Sequence, residues 1–550
     1  MTMPTLLDIQ KLSSGQLIDL AQRLRAEIVS SVSRTGGHLA SSLGAVELSI
    51  GLLRVFNPAV DRIVWDVGHQ TYAWKLLTGR GDKFGTLRSF GGLSGFCNPD
   101  ETVCDAFVSG HAGNALAVAE GLAVARDLKR EPVQVVAVVG DAALMNGESL
   151  EALHNCAALG TKIVLVLNDN SESALGGETG EFGAAFFESF GLVYRGPVDG
   201  HDIGAVEQAL KDACQASRSI IVHVKTRKGR GFAPAEGNPT AWHGVGAFDA
   251  AHPVDPQPNA ASWSGVFGAA VVDLARTDSR ICALTAAMRD GTGLSGFAKE
   301  FPARFFDCGI CEEQMVTFAA GLARGGLRPI VAIYSSFLQR AVDQVMHDVC
   351  LLGLPVVFGV DRAGCVGADG RTHHGMFDIA MLRCLPGLSI LQPCDGPCLK
   401  AMINAAVQQS APVVIRYPRG VPSAVCSPSP LVWGKAAPLM NPAAKLQIWA
   451  LGDEVPKALR VAELLAARGI VAGVVDARFV KPFDTELLAA QKAAGARIVS
   501  LENGAIQGGF GELIGSDARF GWPDTFVGHG MISELEQAHR LTAEAIAEVL

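Results

Sequence analysis

The stretch ending at Asn170 carries two apolar, β-branched runs, VQVVAVV and KIVLVL, separated by GESLEALHNCAAL. The runs have the length and composition of strands buried on both faces, and the segment between them reads as a helix. A strand, a crossover helix and a second strand require a parallel pair, so the chain must build at least one parallel sheet. Each strand ends in a polar cluster: Gly140-Asp141 after the first, Asn168-Asp169-Asn170 after the second. Ligands of open parallel sheets gather at the carboxyl ends of the strands. Asp141 and Asn170 therefore stand side by side. One carboxylate and one amide oxygen form a hard, incomplete ligand set, suited to Mg²⁺ or Ca²⁺ completed by water, carbonyls and a diphosphate. The competing reading is that Asp and Asn close strands simply because they make good turns.

A chain of 550 residues has length for two to four domains. Charged residues are 18% and apolar residues 49%, which suits a well-buried α/β protein. A net charge of −9 gives no reason to expect a nucleic-acid partner. No apolar run reaches membrane-spanning length, and the first residues, MTMPTLLDIQKLSSGQL, lack the features of a signal or transit peptide. The expectation is a cytoplasmic protein without a membrane partner. The 13 cysteines follow no disulfide framework. Cys308 and Cys311 form a Cys-x-x-Cys, with Cys394 and Cys398 as its conceivable partner pair. All four are read as small core residues rather than a zinc or redox centre.

Residues 17–34 read as a helix leading into Thr35-Gly-Gly-His38, and AVELSIGLLRVF as the next helix. RIVWDVGHQTY places His69 after a short strand. SGHAGNALAVAEGLAVA places Gly110, His111 and Gly113 before an Ala-rich helix, whose N–H groups are suited to a phosphate. Three histidines at loop–helix boundaries, His38, His69 and His111, point to a shared cleft. The cationic segment RKGRGFAPAEGNPTAWHG ends near His243, and the Pro- and Ala-rich residues 250–260 read as a linker. Two further α/β alternations follow. The expected domains are 1–250, 260–425 and 430–550, each with a mainly parallel sheet. In the last of them GIVAGVVDARFVKPFD is read as one extended segment.

The motifs HLASSLGAVEL, WDVGHQTY, GPVDGHD, KTRKGRGFAPAE, TFAAGLA, PIVAIYSSFLQRAVDQVMHDV, DRAGCVGADGRTHHG, RYPRG and DARFVKPFD occur in order along the chain. Together they resemble the 1-deoxy-D-xylulose-5-phosphate synthases of the transketolase superfamily. The resemblance implies a homodimer that joins pyruvate to D-glyceraldehyde 3-phosphate with loss of CO₂, using thiamine diphosphate and Mg²⁺. It implies Asp141, Asn170 and the Glu172 carbonyl as metal ligands. Glu312 matches the carboxyl group that hydrogen-bonds the aminopyrimidine, where an apolar setting and a raised pKa are needed. Phe337 matches the residue stacked on that ring. Gly110, His111, Gly113, Gly140, Ala142, Ala143 and Lys228 fall in the cofactor-binding segments. His38, His243 and His69 match histidines around the thiazolium. Tyr334, Asp369 and His373 match the substrate end, and Arg362 and Arg419 the phosphate-binding pair. Spacing alone leaves Arg416 or His374 open as the working neighbour in either pair.

The chain also departs from that pattern. Gly-Asp-Gly has become Gly140-Asp141-Ala142, and Ala-Glu-Gln-His has become Cys311-Glu312-Glu313-Gln314. The apolar residue that props the cofactor falls near Ala174 or Leu175. A segment of several dozen residues is replaced by SESALGGETGEF. Two other functions therefore stand beside the synthase reading. One is a paralogous thiamine-dependent carboligase with a different donor or phosphorylated acceptor. The other is a non-catalytic homologue, against which the retention of Glu312, Asp141 and Asn170 speaks.

Overall fold

The computed structural model describes Pro4 and residues 6–170, 183–257, 259–424 and 430–550. The chain forms two units, Met1–Gln257 and Pro258–Leu550.

In the first unit the strands are β1 (Arg62–Trp65), β2 (Val135–Gly140), β3 (Val164–Asp169), β4 (Val193–Asp199) and β5 (Ile220–Lys225). They form one sheet in the order β1-β2-β3-β5-β4, every neighbouring pair parallel. β2 and β3 are buried along nearly their whole length, as β-branched runs covered on both faces must be. The crossover helix between them, Gly147–Leu159, has the bounds expected from sequence. Asn146 caps its start by accepting from the Glu148 N–H, and Gly160 ends it in a left-handed turn. Helix Ser14–Thr35 begins three residues earlier than periodicity suggests, because Ser13 and Gln16 form a reciprocal capping box. Gly36 ends it at φ 70°, where a β-carbon would lie 2.6 Å from the Val245 carbonyl oxygen.

The second unit holds two sheets. The first is built from β6 (Ile281–Thr285), β7 (Phe305–Asp307), β8 (Arg328–Tyr334), β9 (Val357–Asp361), β10 (Ser389–Leu391) and β11 (Val413–Arg416). The second contains β12 (Ala437–Met440), β13 (Leu446–Ala450) and β14 (Ala472–Asp476), then, beyond β15 (Phe479–Lys481), β16 (Arg497–Ala505) and β17 (Ala518–Trp522). The single segment expected at 469–484 is thus two strands. Arg478, at φ 58°, turns the chain between them. β14 stays in the five-stranded sheet, whereas β15 crosses to pair antiparallel with β10 and becomes the seventh strand of the other sheet. The two sheets also share a core: Phe267, Ile330 and Leu399 from one layer pack in the same apolar cluster as Ile448, Val461 and Val474 from the other. The architecture is α/β with mainly parallel sheets, as expected. No helix among the described residues is long and apolar enough to cross a membrane.

Candidate active site

Because the first sheet is parallel, the carboxyl ends of β1, β2, β3 and β5 line one edge. Beyond β1 lies buried Asp66. Its carboxylate accepts the N–H of Gly113 at 2.9 and 3.0 Å and that of Ala115 at 3.0 Å. The start of helix Ala115–Lys129 is therefore closed by an anion of the chain itself, and the Gly113 N–H expected to face a phosphate is held by Asp66. Gly113, at φ 97°, has no room for a side chain, since a β-carbon would meet Asn146 Oδ1 at 2.4 Å. Gly110 and His111 belong to the loop just before this helix.

The register of β2 and β3 sets Gly140 opposite Asn168, which brings Asp141 beside Asp169 and Asn170. The three polar residues at the carboxyl end of β3, Asn168, Asp169 and Asn170, have divided their work. Asn168 Oδ1 accepts from the Thr226 hydroxyl at 2.6 Å. Asp169 Oδ2 lies 2.8 Å from His223 Nε2, whose Nδ1 is 2.7 Å from the Tyr194 hydroxyl. Asn170 Oδ1 is buried without a hydrogen bond, and so is Asp141 Oδ2. Burial, then the charge of Asp169, pushes the Asp141 carboxyl above its ordinary range, with Lys228 and the Ala142 N–H opposing. Buried oxygens are rarely left without a donor. This pair fits a Mg²⁺ ion, which would satisfy both and reverse the charge imbalance at Asp141. Ala142 and Ala143 occupy the short helix Asp141–Leu144 above β2. Glu172, Ala174 and Leu175 lie outside the described residues.

Three imidazoles gather in the same unit. Gly37 and Val245 exchange two backbone hydrogen bonds of 2.9 Å, and the Ala40 N–H reaches the Trp242 carbonyl at 3.0 Å. This bridge carries His243 to His38. The Tyr72 hydroxyl accepts the His38 N–H at 3.0 Å, and the Ser42 hydroxyl donates to the His69 carbonyl at 2.9 Å. Ring centroids are 6.0 Å apart for His38 and His69, 5.9 Å for His38 and His243, and 5.1 Å for His69 and His243. Burial lowers the His243 pKa to about 4, with the Lys228 charge adding to it. Burial also takes His69 well below its ordinary value, helped by His243, His38 and Lys228. Both rings are neutral at neutral pH, able to accept a proton. The trio is His38, His69 and His243, so the third ring comes from the far end of the unit.

The second unit follows the same rule at its seven-stranded sheet. Glu312 opens helix Glu312–Arg324 and is 4% exposed. Its Oε2 is buried without a hydrogen bond. Burial raises its pKa against its own backbone N–H and the charge of Arg340, and the neighbouring Glu313 adds to the rise. Phe337, just past β8, lies 5.5 Å from the Tyr334 ring and 5.5 Å from the His373 ring. Arg362, just past β9, places its guanidinium carbon 3.8 Å from the Tyr334 ring centroid. It does so at φ 58°, a conformation that costs a non-glycine residue about 1–3 kcal/mol and is tolerated where a side chain must be aimed. Arg419 reaches Asp369 at 3.2 Å, and His373 Nδ1 lies 2.9 Å from the Thr372 hydroxyl. Glu312 and Phe337 thus share this sheet with Tyr334, Arg362, Asp369, His373 and Arg419.

The two alternatives that spacing left open, Arg416 and His374, are both buried and hydrogen-bonded. Arg416 is 1% exposed and spends its guanidinium on Asp378 Oδ2, Gln392 Oε1 and the Asn503 carbonyl. His374 accepts the Val366 N–H at Nδ1 and bonds the Gly528 carbonyl through Nε2. Both are framework residues. Others were missed from sequence. Asp361, beneath Arg362, is buried, accepts from the Ser264 hydroxyl at 2.6 Å, and is raised by burial to about 6. Gly291 leaves space for the Tyr334 hydroxyl, which a β-carbon would meet at 1.7 Å. The signal for Asp361 was present: it ends a buried strand immediately before the Arg of DRAG.

Comparison with known sequences matches residues 2–182 and 178–226 to the N-terminal profile of 1-deoxy-D-xylulose-5-phosphate synthase. Residues 259–422 match the transketolase pyrimidine-binding domain and 434–546 the transketolase C-terminal domain. A 1-deoxy-D-xylulose-5-phosphate synthase of Pelotomaculum thermopropionicum is 42% identical, with 99% of this chain and 95% of that protein aligned. A synthase of Desulforudis audaxviator is 43% identical over 98% and 95% of the two chains, and synthase 2 of Geobacter sulfurreducens 42% over 98% and 97%. This chain belongs to the 1-deoxy-D-xylulose-5-phosphate synthase family. The synthase family is thiamine-diphosphate dependent and has the transketolase-like fold seen here. The N-terminal match to the synthases breaks at residues 178–182, and the first alignment runs over 605 positions, more than the 550 residues available. A shortened segment after Asn170 is thus a property of this synthase-family member.

Proposed function

We propose that the chain condenses pyruvate with D-glyceraldehyde 3-phosphate to 1-deoxy-D-xylulose 5-phosphate and CO₂, with thiamine diphosphate and Mg²⁺ bound. The observation that carries this reading is Glu312: a buried carboxyl with one uncommitted oxygen, its pKa raised by burial at the start of a helix. Such a group has little structural use and is suited to sharing a proton with the ring nitrogen of an aminopyrimidine. Thiamine diphosphate, when bound, supplies the electron sink for decarboxylation. Asp141, Asn170 and the Glu172 carbonyl hold the metal. Gly110, His111, Gly113, Gly140, Ala142, Ala143 and Lys228 surround the diphosphate. Phe337 stacks on the pyrimidine. His38, His69 and His243 take and return protons at substrate oxygens, His69 and His243 being neutral. Arg362 and Arg419 fix the acceptor's phosphate, and Tyr334, Asp369 and His373 orient its carbonyl end.

The same reading takes 1–250 as the diphosphate and metal domain, 260–425 as the pyrimidine domain and 430–550 as the C-terminal domain. It takes the protein as a cytoplasmic homodimer that feeds isoprenoid, thiamine and pyridoxal precursors. A second reading, a carboligase with another acceptor, is favoured by Gln314 and Ala142 near the cofactor segments. The Arg362 and Arg419 pair keeps that acceptor phosphorylated. The deciding measurement is CO₂ release from pyruvate with both cofactors, with and without D-glyceraldehyde 3-phosphate, and the product mass. Release accelerated by the aldehyde, with deoxyxylulose phosphate formed, is the expected result. Release indifferent to that aldehyde transfers the assignment to the second reading, and no release from cofactor-loaded protein overturns both.

A further inference from the structure

A second polar cluster lies in the core where the two sheets of the Pro258–Leu550 unit join. Cys394 and Asp395 follow β10, and Cys398 sits in the first turn of helix Gly396–Ala406. Asp395 caps that helix, its Oδ1 accepting the Cys398 N–H at 2.7 Å. Its Oδ2 is buried and makes no hydrogen bond, although the residue is only 1% exposed. One ligand atom from each of Cys394, Asp395 and Cys398 lies within 4.8 Å of the others. Asp476, the last residue of β14, faces Cys394 from the other sheet. It is 0% exposed, its Oδ2 is 3.2 Å from Arg478 Nε, and its Oδ1 makes no hydrogen bond.

Helix capping explains one oxygen of Asp395, and the Arg478 ion pair explains one oxygen of Asp476. The second oxygen of Asp395 is left without a donor, which costs stability, whereas the Asp476 carboxylate is also met by the Cys394 thiol. Two thiols and the Asp395 oxygen make a three-atom donor set of mixed softness, and Asp476, beside Cys394, supplies the fourth donor from the other sheet. Thiolate ligands select Zn²⁺ over Mg²⁺, so the ion expected at Asp141 does not compete here. We propose that Cys394, Asp395, Cys398 and Asp476 hold a structural Zn²⁺ that ties the two sheets of this unit together. Two S–H bonds break as two Zn–S bonds form, and both protons leave to solvent. Two thiolates, two carboxylates, Zn²⁺ and the adjacent Arg478 then leave one net negative charge. At the Zn–S and Zn–O lengths of about 2.3 and 2.0–2.2 Å, Cys394, Asp395 and Cys398, now within 4.8 Å of one another, close by roughly 1 Å around one ion. The Cys308 and Cys311 pair has no part in this set.

The test uses the full-length chain, stripped of transition metals and kept in Mg²⁺ and thiamine diphosphate, titrated with Co²⁺ as a visible stand-in for Zn²⁺. A near-ultraviolet thiolate-to-cobalt band saturating at one equivalent per chain, and abolished by added Zn²⁺, is expected. Mg²⁺ at an oxygen site gives no such band. The Cys394→Ser and Cys398→Ser variants should lose it, together with the rise in Tm that Zn²⁺ gives the unaltered chain. Asp476→Asn keeps both thiols and should weaken Zn²⁺ affinity by at least about 10-fold, which carries the test if the cysteine variants do not fold. The proposal is overturned by the absence of a stoichiometric band, by a band that persists in both cysteine variants, by unchanged Zn²⁺ affinity in Asp476→Asn, or by an intact mass showing Cys394 and Cys398 joined as a disulfide.

Discussion

The imidazoles of the first unit and the carboxyl groups of the second are buried alike, yet end in opposite chemical states. Removal from water disfavours whichever form is charged. For His69 and His243 that form carries the extra proton, so they are held bare. For Glu312, Asp361 and Glu502 it lacks the proton, so they are held protonated further up the pH scale. One physical cause thus favours the proton-accepting form of these imidazoles and the protonated form of these carboxyl groups. No compensating partner is required at Glu312 or His69, and the uncommitted Oε2 and Nδ1 atoms are where it is missing. The difference between a site and a framework lies in that omission, since Arg416 and His374 are as buried but fully bonded.

The largest expected effect comes from removing the donor. Glu312→Ala should lower kcat by about 10²–10⁴-fold, while thiamine diphosphate binding, followed by tryptophan quenching, is kept. Full turnover in that variant would remove Glu312 from the mechanism. Next is the framework half of the comparison. Arg416→Ala leaves Asp378 buried without its cation and should cost about 3–5 kcal/mol in denaturant unfolding. Its exposed neighbour gives the contrast: Arg419→Ala should leave stability within about 0.5 kcal/mol. It should raise KM for D-glyceraldehyde 3-phosphate by about 10–100-fold, the worth of one or two charged hydrogen bonds. If the two arginines gave interchangeable results, the separation of site from framework would fail.

The smallest effect tests the proton argument directly. His243 falls from 6.5 in the unfolded chain to about 4 when folded. Between those values the unfolded chain binds a proton that the folded chain refuses. Its contribution is therefore full above pH 6.5 and lost as the pH falls toward 4, by up to roughly 3 kcal/mol. Glu502 moves the other way, from 4.5 to about 7, because burial outweighs the N–H groups of Phe510 and Gly511 that it accepts. There the folded chain keeps a proton that the unfolded chain releases, so stability is full below pH 4.5 and lost as the pH rises through 7. Thermal melts from pH 4.5 to 8 should show His243→Phe flattening the acid side and Glu502→Gln the alkaline side. Both variants altering the same limb would break the opposition.

Much of this organisation was legible in the residues because parallel sheets gather strand ends. Once VVAVVG and VLVLND are seen as neighbouring strands, Asp141 and Asn170 must meet, and the same reasoning collects Tyr334, Arg362 and Arg419 beyond β8, β9 and β11. What periodicity could not show is how hydrogen bonds are shared out. Asp66 was noted only as part of a motif, and its capture of the Gly113 N–H depends on a contact between residues distant in sequence. The break of β14 from β15 was hidden because both halves are apolar, and only the turn at Arg478 separates them. The choice between Arg416 and Arg419 needed burial, which two arginines three positions apart do not disclose.

The backbone bridge between Gly37 and Val245 also sets an order of events during synthesis. His38 leaves the ribosome early, whereas His243 follows about 200 residues later, after every strand of the first sheet has been made. The three rings cannot assemble until that loop returns to the start of the chain, a contact of very long sequence separation and therefore a late one. A nascent or prematurely ended chain that stops before this point holds Asp141 and Asn170 but only part of the imidazole trio. Protection of His38 from imidazole-directed reagents would then time-stamp completion of the unit.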